Sequence, residues 1–122
     1  MVCVFTRTVT DELAGLVSQI DESLETYDDQ KLSAILVLMT DQQEDSITRL
    51  NRLARERRLK EIPLTIYPKS NGPDDYHLNE DYETTILMWR ENVVQANHGF
   101  QNAELTDFSI RAVMDSLRDL VK

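Results

Sequence analysis

Leu32-Ser33-Ala34-Ile35-Leu36-Val37-Leu38-Met39 is the apolar run on which the fold turns. Eight residues, mostly aliphatic and without glycine or proline, are too short for a typical helix and read as a strand buried on both faces. Such strands belong to parallel or mixed sheets covered by helices, so the flanking segments are read for helical periodicity. Upstream, Leu13, Leu16, Val17, Ile20 and Leu24 fall at i, i+3, i+4, i+7 and i+11, one helical stripe. Thr8 or Thr10 is placed to cap that helix, with Asp11 and Glu12 favourable in its first turn. Before it, Val2 to Phe5 is a second short buried strand, and Tyr27 to Gln30 is a loop.

Downstream, Thr40-Asp41-Gln42-Gln43 reads as a capping box opening a helix that carries Ile47, Leu50, Leu53 and Ala54 on one side. Ile62-Pro63-Leu64-Thr65-Ile66-Tyr67 is a third strand, its proline near the start where a missing N–H is tolerated. Asn71-Gly72-Pro73 marks a loop. Thr84 to Trp89 and Val93 to Asn97 flank Arg90-Glu91-Asn92 as a hairpin. Thr106 then caps a last helix with Ile110, Val113, Met114, Leu117 and Val121 on its apolar stripe. The order is βαβαβ, a β-hairpin, then a helix. Strands joined by a helix pair parallel and the hairpin adds antiparallel strands. The expected architecture is a single α/β domain over residues 1–122, a three-layer α/β/α sandwich around a mixed sheet. A doubly wound, receiver-like fold is the alternative, and it requires an all-parallel sheet.

The 122 residues carry 13 Lys+Arg against 22 Asp+Glu, a net charge of −9. A field of that sign repels nucleic acid and anionic lipid surfaces, and no apolar run approaches the roughly 20 residues that span a bilayer. The expectation is an acidic soluble domain with neither nucleic-acid binding nor membrane insertion. Cys3 is the single cysteine, so an intrachain disulfide, a C-x-x-C pair and a cysteine-rich zinc site are excluded. The first residues have no secretory-signal pattern. Strand-like residues begin directly after Met1, which reads as a domain taken from a longer chain.

This order, with these residues, resembles the thioredoxin-like fold in its redoxin or peroxiredoxin-like version. Val2 to Thr6 resembles the strand before that family's catalytic loop, and Leu32 to Thr40 its central strand. Ile62 to Ile66 resembles the strand redoxins insert, and Thr84 to Trp89 with Val93 to Phe100 the closing hairpin. The resemblance implies a reactive cysteine at the start of the first helix, where this chain has Thr6, Arg7, Thr8, Val9 and Thr10. In a peroxiredoxin-like register Val9 stands where the nucleophile would be, and an aliphatic side chain supplies no thiolate. The family's cis-proline position falls at Glu83, where a cis bond would cost about 3 kcal/mol, so a trans bond is expected. The chain is also similar to domains of longer, exported bacterial proteins, which points to an extracytoplasmic setting.

The expected function is therefore a non-catalytic interaction or structural domain, partnered by a protein or by other domains of a parent chain. No cofactor or metal is implied. The competing enzyme reading makes it the scaffold of a thiol-disulfide oxidoreductase whose cysteines lie upstream of Met1 or on a partner. A third reading takes the loop Thr6 to Thr10, with Arg7 at a helix N-terminus, as an anion site. Arg49, Arg52, Arg55, Arg57, Arg58 and Lys60 read as a solvated helix face or a dock for an acidic partner. Asp74, Asp75, Glu80, Asp81 and Glu83 lack the spacing of a calcium loop and read as solubilising. Cys3 reads as a small buried hydrophobe and His98 as a hydrogen-bonded structural histidine. Trp89 and Phe100 read as aromatics of the core or its rim.

Overall fold

The computed structural model describes residues 1–69, 78, 81–91, 93–101 and 104–121. Its elements are β1 (Val2–Thr6), α1 (Asp11–Thr26), a 3-10 turn (Asp28–Gln30), β2 (Ala34–Met39), α2 (Gln43–Arg57), β3 (Leu64–Tyr67), β4 (Thr84–Arg90), β5 (Val93–Phe100) and α3 (Asp107–Leu120). The strands form one mixed sheet in the order β3-β2-β1-β4-β5. β1 pairs parallel with β2 and β2 with β3, while β4 runs antiparallel to both β1 and β5. Central β1 is wholly buried, with Val4 opposite Leu36 on one side and Ile86 on the other. This α/β fold excludes the all-parallel sheet of a receiver-like domain.

The helices follow their stripes. Leu13, Leu16, Val17, Ile20 and Leu24 are all buried, as are Ile110, Val113, Met114 and Leu117, with Leu120 completing α3 in place of Val121. Thr10 caps α1 by accepting the Leu13 N–H at 3.1 Å, and Thr106 caps α3 by accepting that of Ser109 at 3.3 Å. The capping box is not where the sequence puts it. α2 begins at Gln43 after Gln42, and the Thr40 hydroxyl accepts the Gln42 N–H at 3.0 Å in a turn ahead of the helix. Ile47 is a second departure: it is 51% exposed, because α2 buries Ser46, Leu50 and Leu53 and turns Ile47 toward the β3 edge.

Alternation along the strands sorts the interior into two faces. Val2 and Val4, Leu36 and Leu38, and Ile86 and Met88 point into one core with the buried residues of all three helices. Cys3, Phe5, Met39 and Leu87 form a second cluster on the opposite face, joined by Ile35, Val37, Tyr67, Leu78 and Trp89. No helix lies on that second face among the described residues, which show one helical layer on the sheet where two are expected. The reason is directional. β1, β2 and β3 step one way along the sheet, and two right-handed crossovers in one direction place α1 and α2 on the same side. Leu78, from the long β3–β4 connection, is the described residue of that connection that packs on the second face. The Asn71-Gly72-Pro73 loop, most of the acidic cluster (Asp74, Asp75, Glu80) and hairpin residue Asn92 lie outside the described residues.

Candidate functional site

The turn from β1 into α1 brings the predicted site residues together. Thr6 is fully buried at the strand end, and its hydroxyl donates to the Thr8 carbonyl at 2.8 Å. Its one proton is thereby used, so the Thr84 hydroxyl, 3.0 Å away at the start of β4, donates to it. The Arg7 N–H donates to the Glu83 carbonyl at 2.9 Å, and the Arg7 guanidinium donates to the Tyr82 carbonyl. Arg7 thus ties the first loop to the segment entering β4. Glu83, which the resemblance sets at the cis-proline position, is in direct contact with the loop, and none of the described peptide bonds is cis. Val9 packs against the main core, and Thr10 is engaged as a helix cap.

This geometry restricts the chemistry available there. A thiol-based centre needs a nucleophile at the helix N-terminus, and the side chain in that place is an aliphatic one turned into the core. Anion binding needs an unopposed positive end, yet Asp11 and Glu12 occupy the first turn of α1 and neutralise its dipole. The hydroxyls and guanidinium of the loop serve to close β1 and α1 onto β4.

The remaining candidates are dispersed. Cys3 lies on β1 with its side chain on the second face, 4% exposed, and burial pushes its thiol up to about 12. It lines a shallow apolar cavity of about 380 Å³ with Met1, Phe5, Ile35, Val37 and Trp89, on the face that carries no helix among the described residues. His98 bonds Ser116 through Nε2 at 2.9 Å and stacks on Phe100, and burial holds its pKa below the usual histidine value. Among the described residues its hydrogen-bond and ring partners are Ser116 and Phe100. Trp89 packs in the second cluster and Phe100 against the main core, both as rim aromatics. Arg49, Arg52, Arg55, Arg57, Arg58 and Lys60 are all exposed, and none is ion-paired among the described residues. No group of metal-ligating side chains is assembled among the described residues.

Two features escaped the sequence reading. Asp21 of α1 is 7% exposed, and its carboxylate accepts the backbone N–H groups of Lys60, Glu61 and Ile62, the last two at 2.7 and 2.9 Å. The signal was present: Asp21 sits four residues after Val17, on the apolar stripe itself. Gly99 of β5 lies beneath the Tyr82 ring, where a Cβ would fall 2.9 Å from Tyr82 Cγ. No family model matches the chain, and neither a curated protein nor a solved structure is significantly similar to it.

Proposed function

We propose that this chain is a thioredoxin-like interaction module with no redox centre of its own, serving a protein partner or other domains of a parent chain. The reading takes β1-α1-β2 and β4-β5-α3 as the thioredoxin-like core, α2 as a helix on the same face, and β3 as an inserted strand. One observation carries it. Val9, which this reading sets at the position of the reactive cysteine, packs on the main core at the β1–α1 turn, while the chain's one thiol is buried in β1 with its pKa pushed up to about 12. A thiol so far from ionisation is a poor nucleophile at neutral pH.

The oxidoreductase-scaffold reading has less support. Met1 pairs with Trp89 at the far end of β1 from the Thr6–Thr10 loop, both through its amino group and through its carbonyl. Cysteines placed immediately before Met1 would start about 13 Å or more from that loop, the length of a five-residue strand. The test is reduction of insulin by the 122-residue chain in the presence of dithiothreitol. The expected rate equals that of dithiothreitol by itself. Acceleration that disappears in Cys3→Ser would overturn the proposal.

A further inference from the structure

Charge is segregated along this chain. Residues 49–60 hold six cations, Arg49, Arg52, Arg55, Arg57, Arg58 and Lys60, against one carboxylate, Glu56, while the other 110 residues hold seven cations against 21 carboxylates. All six are exposed, and none is ion-paired among the described residues, in a chain with carboxylates to spare. The helix dipole accounts for Arg55 and Arg57 in the last turn of α2 but not for Arg49 and Arg52 at its middle. Arg49, Arg52 and Arg55 stand three residues apart, close enough to repel one another.

Beside this basic stretch lies an apolar groove. Ile47, 51% exposed, lines a cavity of about 210 Å³ with Leu50, Asn51, Leu64 and Ile66, between α2 and β3, a terminal strand of the sheet. Ile47, Asn51 and Arg55 follow at i, i+4 and i+8, one row on the helix surface, so the groove runs into the basic stretch. From Ile47 to Arg55 the helix rises about 12 Å, which about three or four residues of extended chain would span.

We infer that this face docks an acidic, extended segment of a partner protein, with an apolar side chain seated against Ile47 and carboxylates meeting Arg52 and Arg55. The inference rests on the interaction-module reading and adds the chemistry of the partner. Charge complementarity selects the occupant. Glu44 and Asp45 make the start of α2 acidic, so the carboxylate end of the segment lies toward its C-terminus. Five of the six cations are arginines, whose planar forks take carboxylates through paired hydrogen bonds. A nucleic acid fits less well. A duplex carries a charge about every 1.7 Å and extends far beyond a basic stretch roughly 13 Å long, so its flanks would lie against the acidic remainder of the chain.

The test is fluorescence anisotropy at ~50 mM salt, titrating the intact chain into fluorescein-labelled octapeptides made of a block of two leucines and a block of six glutamates, in either order. Saturable binding of at least one, half-maximal below about 1 mM and weakening toward ~0.5 M salt, is expected. Arg52→Gln/Arg55→Gln should weaken it by about tenfold and Ile47→Gln by about threefold, each keeping the parent circular-dichroism melt. Arg111→Gln/Arg118→Gln removes the same charge from α3 and should change it by less than about twofold. Absence of binding overturns the inference. So does a loss from the α3 pair as large as that from the α2 pair, since attraction then follows net charge alone, or a ~20-base-pair DNA duplex that binds as tightly as the peptide. Accelerated insulin reduction, by contrast, overturns the module reading and leaves this titration unchanged.

Discussion

Replacing Asp21 by alanine tests how the helix layer is locked to the sheet. The α2–β3 connection turns inward at Lys60, Glu61 and Ile62, and the three N–H groups it exposes all point at one carboxylate from α1. The Ile62 N–H is buried, so losing its acceptor costs about 1–3 kcal/mol. The Lys60 and Glu61 donors are partly accessible and regain water, which adds on the order of 1 kcal/mol for the charge-assisted bonds lost. Relief of the carboxylate's own desolvation offsets part of this. The net is about 2–3 kcal/mol, against the 0–1 kcal/mol of a surface charge. Urea unfolding followed by circular dichroism should show the midpoint falling by about 1–2 M at unchanged slope. Asp21→Asn keeps the shape but offers a neutral acceptor and an amide facing three donors, so it should fall between the two. An Asp21→Ala midpoint within about 0.3 M of the parent would refute the reasoning, because the loop would then be held by packing alone.

Gly99→Ala should cost about 1–3 kcal/mol, read by thermal melting, because its Cβ collides with a Tyr82 ring whose backbone is anchored through Arg7; Tyr82→Ala in the same chain should recover part of the loss. His98 has a native pKa below its unfolded value, so the unfolded chain binds the extra proton first. The stability difference between the parent and His98→Gln should be constant above about pH 6.5 and shift against the parent as pH falls below it; a flat difference from pH 7 to 5 would contradict this. Cys3 should react with Ellman's reagent at pH 8 only as fast as the chain opens, and promptly in denaturant; prompt labelling of the native chain would place the thiol at the surface.

Element order and type were legible because each segment's period is local. The aliphatic run before Thr40, the stripes on α1 and α3, and the threonine caps are facts about neighbours a few residues apart. Of the candidate site, composition made legible that the β1–α1 turn holds no cysteine. What could not be read is what depends on residues far apart in the chain. Asp21 is a polar residue on an apolar stripe, and its value comes from three N–H groups 39 to 41 residues away. Arg7 reads in sequence as a cation at a helix N-terminus, and it proves to hold the strand entry at Tyr82 and Glu83.

The layer count shows the same division. Burial on both faces of β1 and β2 suggested helices on both sides, but burial is silent about what does the covering. The direction in which β1, β2 and β3 step across the sheet decided that for α1 and α2, and α3 packs into the same core. The sequence by itself determined which segments are strands and helices and that these 122 residues hold a single cysteine, since both follow from side-chain identity and short-range period. Tertiary structure alone decided which face each helix covers and which polar groups meet, because those depend on how the chain returns to itself.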